Sequence, residues 1–314
     1  MRWKVLVSAP YLQPVLDQFR PTLVAHGIDL VVPPVRERLG EDELLNLVGD
    51  IDGAICGDDQ FTERVLAAAP RLKVIAKWGT GIDSIDSEAC KLQGIAVRNT
   101  PGAFSEAVAD TVMGYVLAFA RRQPEMNSTM HAGSWTKLPG VTLREATLGV
   151  IGVGNCGKAI VRRAVAFGMR ILGSDLLPMP ADFLAASNIT MVSKEDLLKQ
   201  ADFVSVNCDL NPTSFHLIGE DSFRLMKPTA VVINTARGPI IDEPKLIAAL
   251  RNGRIAGAAL DVFEMEPLPP GSPLLAMANV LLAPHNANSS PSAWNAVHER
   301  TVNSLIEELE ARER

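Results

Sequence analysis

Cysteine is scarce in this chain and scattered. Cys56, Cys90, Cys156 and Cys208 are its four thiols, and none belongs to a C-x-x-C pair or stands at zinc-ligand spacing from a histidine. That excludes a disulfide scaffold and a structural zinc site, and leaves small buried residues of a reducing compartment as the expectation. Long apolar runs are missing as well. No stretch approaches the ~20 residues of a membrane span, and MRWKVLVSAP is too short in apolar residues for a signal peptide. A soluble, cytoplasmic protein is expected, with no membrane partner. There is no clustered basic patch either. The formal net charge is −6, and the densest charge, EELEARER at the C-terminus, reads as a solvated helix end, which argues against nucleic acid as a partner.

What the chain does have is alternation. Its 314 residues, 47% of them hydrophobic, suffice for two ordinary domains with real cores. Short Val, Ile and Leu runs alternate with longer helical patterns, the signature of parallel α/β layers. KVLVSAP, DLVVPP, GAICG, LKVIAKWG and GIAVRNT read as strands, with EDELLNLVGDI, TERVLAAAP and SEACKLQG as helices among them. In FSEAVADTVMGYVLAFARRQPEMNSTMHAG, Ala107, Val108, Val112, Tyr115, Val116 and Phe119 have helical spacing, and Pro124 should kink or break the helix. TLGVIGVG, RILGSD, FVSVN, AVVINTA, AGAALDVF and VLLAPH form a second strand series. In the last segment Trp294, Val297, Val302, Leu305, Ile306 and Leu309 make one apolar helical face, which needs something to cover. We expect it to return to the first layer set. Residues 1–98 with 287–314 would then form one discontinuous domain and 99–286 the other.

The second series opens on Gly152, Gly154 and Gly157 in a G-x-G-x-x-G pattern, with Asn155 and Cys156 inside it. Alone the pattern is weak, but here a strand precedes it, an amphipathic helix follows, and the next strand ends on Asp175, eighteen residues past Gly157. Gly152 permits a tight turn, Gly154 lets backbone approach a pyrophosphate, and Gly157 lets helix pack on strand. The helix N-terminus offers N–H groups to the phosphates. Asp175 would accept from a ribose diol and repel a 2′-phosphate, so NAD is the expected cofactor in preference to NADP.

Three later strand ends carry charge: Arg237 in NTARGPIIDE, Asp261 and Glu266 in ALDVFEMEP, and His285 in LLAPHNAN. In open α/β sheets ligands bind outside the carboxyl ends of strands. An imidazole that moves the hydroxyl proton, a carboxylate that fixes its tautomer and an arginine fork for substrate oxygens together suit hydride transfer at a 2-hydroxy acid.

With these motifs in this order, and with KWGTGIDSID (77–86) and NTPGAFSEAVAD (99–110), the chain resembles the D-isomer-specific 2-hydroxyacid dehydrogenases, phosphoglycerate dehydrogenase-like, over nearly its full length. The resemblance implies an α/β fold of two Rossmann-like or flavodoxin-like domains with parallel sheets, an active-site cleft between them, and a homodimer formed through 103–140. Residues 1–98 and 287–314 would be the substrate domain and 99–286 the NAD-binding domain. By position, Arg237 would orient the substrate, Glu266 would partner the acid–base, and His285 would be that acid–base; Arg237 and His285 would also lie against both substrate and cofactor. Lys77, Trp78, Gly79 and Thr80 resemble the loop whose backbone N–H groups grip the substrate carboxylate. Thr235, Ala236 and Asp261 resemble nicotinamide-side contacts, and Cys208 to Asn211 the loop beside the adenine half. The implied partner is a small 2-hydroxy or 2-oxo acid.

Several positions depart from the family pattern. Asp58 and Asp59 follow the third strand where a phosphoglycerate enzyme has a basic segment, and would repel a phosphate if they face it. Lys77 replaces a commoner arginine, Trp78 a small residue, and Asn286 and Ala287 an apolar residue and a glycine. No regulatory extension is read past residue 314. Glu264 is expected to be solvated, and His26, His131, His216 and His298 to be surface or partly buried residues. Phosphoglycerate or phosphite as substrate, and a non-catalytic NAD-sensing role like that of co-repressors, stay open beside the main reading; Glu266 counts against a formate enzyme.

Overall fold

Every strand in both sheets pairs in parallel, because each is followed by chain that crosses back over a sheet face before the next begins. The structure is a computed structural model that describes residues 2–312. Its chain divides into two units, one running to Phe104 and resuming at Ser290, the other Ser105–Ser289.

The first unit runs β1 (Trp3–Val7), α1 (Leu16–Ala25), β2 (Ile28–Val31), α2 (Glu41–Leu45), β3 (Gly53–Cys56), α3 (Glu63–Ala67), β4 (Val74–Lys77), α4 (Ser87–Leu92) and β5 (Ala96–Arg98). The strand order is β2-β1-β3-β4-β5, the flavodoxin-like arrangement. All of β3 and β4 is buried, as expected for central parallel strands covered on both faces. The helix α1 was not among the sequence expectations. It holds Pro21 in its interior and buries only Leu16 and Leu23, so neither propensity nor periodicity announces it.

The second unit begins with α5 (Ser105–Ala120) and α6 (Gln123–His131). The expected break occurs, but ahead of the proline. Arg122 takes a left-handed conformation, φ 50°, and Pro124 sits in the first turn of α6, where a missing N–H costs nothing. Then follow β6 (Thr147–Ile151), α7 (Asn155–Ala166), β7 (Arg170–Ser174), α8 (Ala181–Ser187), β8 (Thr190–Met191), α9 (Lys194–Gln200), β9 (Phe203–Val206), α10 (Glu220–Leu225), β10 (Val231–Asn234), α11 (Glu243–Arg251), β11 (Gly257–Leu260) and β12 (Val280–Leu282). The seven strands lie in the order β12-β11-β10-β9-β6-β7-β8. The chain reverses direction across the sheet between β6 and β9, the kind of switch point where doubly wound sheets take ligands.

The closing helix α12 (Pro291–Ala311) belongs to the first unit and packs on β3, β4 and β5. Val297, Val302, Leu305, Ile306 and Leu309 are buried, each worth roughly 1.5–3 kcal/mol against exposure. Leu305 reaches the sheet over Gly53, where an added Cβ would stand 3.1 Å from its Cδ1. Among the described residues no helix is long and apolar enough to cross a membrane.

Candidate active site

The turn after β6 is built from contacts that only glycine allows. Gly152 has φ +85°, and a Cβ there would stand 2.5 Å from the Cys208 nitrogen, so the loop after β9 lies directly against it. A Cβ on Gly157 would stand 2.2 Å from the Gly152 carbonyl oxygen, which brings the first turn of α7 onto its own entry loop. Around Gly154, in contrast, no described atom beyond its own chain neighbours lies within 4 Å of where a Cβ would be. Tight packing behind and open space in front are what a phosphate-binding turn requires, with the N-terminus of the twelve-residue α7 behind it. Asp175, past the end of β7, is anchored at both oxygens: Val153 N–H donates to Oδ2 (2.6 Å) and Leu177 N–H to Oδ1 (2.9 Å). Thr235 adds a polar atom in want of a partner, its buried Oγ1 having no hydrogen bond among the described residues. These features fit a nicotinamide dinucleotide. Burial pushes the Cys208 thiol up to about 11 and also raises Cys156, so neither supplies a thiolate near neutral pH.

The charged strand ends come from neighbouring strands in register: Asn234 of β10 pairs with Leu260 of β11, and Leu260 with Leu282 of β12. Arg237, Asp261 with Glu266, and His285 follow these three residues closely. The structure joins His285 to Glu266, with Nδ1 and Oε2 2.9 Å apart, and Phe263 N–H donates to the other glutamate oxygen at 2.9 Å. Nδ1 is thus committed to the carboxylate, which directs proton chemistry to Nε2. His285 sits at φ 50°, its N–H donating to the Asp261 carbonyl at 2.7 Å. The Asp261 carboxylate, 1% exposed, accepts from Asn286 N–H at 2.7 Å and Ala287 N–H at 2.8 Å. Burial raises its pKa, while those amides and the nearby imidazole pull it back down. Asp261 therefore shapes the turn that presents His285. Beyond it, Asn286 is exposed and Ala287 is buried, with its carbonyl accepting from Thr111 Oγ1.

Two organising residues escaped the sequence reading. Asn234 is 1% exposed and ties the turn together: its side chain donates to the Arg237 carbonyl (2.9 Å) and accepts from Ala236 N–H (3.1 Å), while its own carbonyl accepts from Asp261 N–H (3.0 Å). A polar side chain closing the apolar run VVIN was the available signal. Gly238 is the other. A Cβ there would fall 1.9 Å from the Phe263 carbonyl carbon, so the Arg237 turn lies directly on the segment that leads to Glu266.

In the first unit, β4 ends on Lys77 and the chain turns through Trp78, Gly79 and Thr80. Trp78 N–H is already used, donating to the Cys56 carbonyl at 2.8 Å, so it is not an amide this loop can offer to an anion. Gly79 has φ +126°. Thr100 donates to its carbonyl from both backbone N–H (2.9 Å) and Oγ1 (3.0 Å), and Asn99 Nδ2 donates to the Thr80 carbonyl at 2.6 Å. The asparagine and threonine of NTPG thus brace the loop. Lys77 is 4% exposed and lies beneath it, with Nζ donating to the Trp78 carbonyl (3.0 Å) and paired to Asp58 (3.1 Å).

The orientation of Asp59, left open by the sequence, is inward: it is fully buried and accepts from Leu39 N–H (2.5 Å), Ser8 Oγ (2.6 Å) and Gly57 N–H (3.1 Å), holding three segments together. Two expectations need revision. Glu264 is exposed, as expected, but it is engaged by neighbours. It pairs with His216 Nε2 at 2.8 Å and accepts from Glu243 N–H at 3.1 Å, fastening the segment before Glu266 to α11. His298 lies well inside, at 4% exposure, and accepts the indole N–H of Trp78 at Nδ1. Of the remaining histidines, His26 at the end of α1 pairs with Glu310 (2.7 Å) and His131 ends α6.

The family model for the NAD-binding domain of D-isomer specific 2-hydroxyacid dehydrogenases matches residues 113–287. A glyoxylate reductase of Korarchaeum cryptofilum is 40% identical over 254 residues, 79% of this chain and 76% of its own. A hydroxypyruvate reductase of Thermotoga maritima is 35% identical over 314 residues, 98% of this chain and 99% of its own. Among solved structures, D-lactate dehydrogenase of Aquifex aeolicus, complexed with NAD and lactic acid, has a TM-score of 0.90 at 26% identity and covers 98% of this chain and 96% of that one. The glycine turn and the strand-end charges stand on a scaffold shared with these proteins, and the chain belongs to the D-isomer-specific 2-hydroxyacid dehydrogenases, nicotinamide-dinucleotide-dependent oxidoreductases of 2-hydroxy and 2-oxo acids.

Proposed function

We propose that this enzyme reduces a small, unphosphorylated 2-oxo acid such as glyoxylate or hydroxypyruvate, with NADH preferred to NADPH and His285 as the proton donor. The observation that carries the reading is the His285–Glu266 pair, 2.9 Å between Nδ1 and Oε2. The cofactor supplies the hydride. His285 Nε2 delivers the proton to the carbonyl oxygen as it gains negative charge, and Glu266 stabilises the imidazolium form and keeps the ring oriented. Arg237 presents its fork to substrate oxygens and polarises the carbonyl. The amides of Gly79 and Thr80 hold the carboxylate, with the buried Lys77 charge beneath them. Gly152, Gly154, Asn155, Cys156 and Gly157 hold the pyrophosphate. Asp175 holds the ribose, Thr235 and Ala236 line the nicotinamide side, and Cys208 flanks the adenine half.

The names of the two relatives support a short 2-oxo acid. Asp58, with 42% of its side chain exposed past the end of β3, is paired to Lys77, so the pair offers no net positive charge to a phosphate-bearing substrate. The unit containing β1 to β5 and α12 is then the substrate domain, and the other the cofactor domain. A homodimer through 103–140 is part of the same reading. Its support is the apolar surface on that segment, where Trp135 is 85% and Met130 50% exposed. Four free cysteines agree with a cytoplasmic setting.

His285→Gln tests the assignment. It keeps a polar side chain of similar reach but cannot shuttle the proton. We expect turnover with glyoxylate and hydroxypyruvate to fall by ~10²–10⁴, while NADH affinity, read by fluorescence titration, stays within about twofold. A variant with near-parental turnover would remove His285 from the chemistry.

A further inference from the structure

Trp78 is an unusual tenant for a loop that handles a small anion, since it is 4% exposed and faces away from water. Its ring lies among Tyr11 (centroids 5.3 Å apart), Phe104 (5.6 Å), Trp294 (5.9 Å) and His298 (5.6 Å), all within the first unit. Packing alone does not need a polar partner in that cluster. Trp294, a member of it, leaves its own buried Nε1 without a hydrogen bond among the described residues. Trp78 differs: its Nε1–H donates to His298 Nδ1 at 2.9 Å, across a sequence separation of 220 residues. His298 comes from α12, the helix that closes this unit, and Phe19 of α1 stands near it with ring centroids 6.2 Å apart.

Trp78 is therefore fastened at three points. Its N–H is bonded to Cys56 of β3, its carbonyl accepts from Lys77 Nζ, and its indole is bonded to α12. The next residue is Gly79, at φ +126°, whose side-chain-free backbone would otherwise let the following amides swing. We propose that His298 is a positioning residue for the substrate: by accepting the indole N–H it fixes Trp78, and through Trp78 the direction of the Gly79 and Thr80 amides, so that the C-terminal helix sets the affinity for the 2-oxo acid. The inference rests on the reading of residues 77–80 as the carboxylate-binding loop. It assigns His298 no contact with substrate or cofactor.

The experiment is steady-state kinetics on the full chain, with glyoxylate and hydroxypyruvate varied at saturating NADH. His298→Phe keeps an aromatic ring in the core and removes the acceptor, whereas His298→Gln retains a carbonyl oxygen that can take the indole proton. A net neutral hydrogen bond corresponds to about fivefold in affinity, so H298F should raise KM for the oxo acid about fivefold. Its kcat and its KM for NADH should stay within about twofold, and H298Q should return KM to near the parental value. Trp78→Phe, which deletes the donor, should raise KM by a similar factor, and adding H298F to it should raise KM no further. In ¹H–¹⁵N spectra the indole N–H signal missing from W78F should shift upfield in H298F and recover in H298Q. These last two measurements keep the proposal testable if one variant folds poorly. Parental KM in H298F, or a loss in H298Q as large as in H298F, would overturn it. So would a lowered Tm with both kinetic constants intact, since that is what a merely structural contact gives.

Gly79→Ala separates this from the underlying reading, because its Cβ would force the loop at a positive φ and meet Lys77 Nζ at 3.3 Å. If G79A leaves KM for the oxo acid unchanged, the carboxylate loop is misassigned. If G79A raises KM and H298F does not, the loop stands and the role of His298 is wrong.

Discussion

At φ 50° the His285 backbone occupies a left-handed region that costs a non-glycine residue roughly 1–3 kcal/mol, and nothing in the histidine side chain itself enforces it. The conformation is imposed by its neighbours: the His285 N–H is bonded to the Asp261 carbonyl, and the next two amides to the Asp261 carboxylate. One buried aspartate thus sets the turn, and the turn aims the imidazole at Glu266. Asp175 works by the same device in the other direction, its carboxylate being fixed by the amides of Val153 and Leu177. On the proposed role, a carboxylate held that firmly would not swing away from a 2′-phosphate. Like charges forced together cost several kcal/mol, and each ~1.4 kcal/mol is a factor of ten. Asp175→Ser should therefore raise the ratio of kcat/KM for NADPH over NADH by at least about tenfold. Kinetics with each cofactor at a fixed oxo-acid concentration would show it, and an unchanged ratio would take Asp175 out of cofactor discrimination.

Between elements, the decisive contact is backbone on backbone. Gly238 sits one residue past Arg237 and leaves no room for a Cβ against Phe263, so the turn after β10 and the turn after β11 are held at a fixed separation. Gly238→Ala must push them apart, displacing Arg237 from one side and Glu266 from the other. We expect kcat/KM to fall by ~10² or more, together with a destabilisation of ~1–3 kcal/mol; kinetics and thermal unfolding read the two effects. Wild-type kinetics in this variant would mean that the turns tolerate the displacement. The strand ends themselves were legible in the sequence, because apolar runs that give way to Arg, Asp or His mark where buried strands end. The contact between turns was not, since nothing in NTARGPIID announces which backbone Gly238 will meet. Other misses have similar causes. The helix α1 is hidden by Pro21 and a weak apolar stripe, and the break before α6 falls at Arg122, whose left-handed conformation a proline rule does not locate.

Over the whole molecule, the sequence carried the two parallel sheets and the return of the last helix, because periodicity reports what an element buries. It does not report which polar atom on that helix meets which loop. His298 shares a face with Val302 and Leu305 and reads as one more residue of α12, yet it is the acceptor for an indole 220 positions away. That placement has a consequence for stability. Burial holds the His298 pKa below its ordinary 6.5, since the site favours the neutral ring and Nδ1 must be unprotonated to accept from Trp78. The unfolded chain therefore binds the proton more readily than the folded one. The stabilising contribution is complete above about 6.5 and is lost as pH falls from there through the depressed folded value. Asp59 and Asp261 act with the opposite sign: burial raises both above 3.8, so their share of stability is present in acid and is lost as pH rises through the raised values. The direction at His298 is that of a loss beginning just below neutrality. Scanning calorimetry of the parent and His298→Gln from pH 7.5 to pH 5 isolates it, because glutamine keeps an acceptor for the indole but does not titrate. The chain has two units, so the transition to follow is that of the unit holding α12. In the parent its midpoint should fall more steeply with acid than in H298Q, the two curves lying farther apart at pH 7.5 than at pH 5 if the imidazole is the better fit. Parallel curves would show that the His298 ring is not desolvated enough in solution to couple its proton to folding.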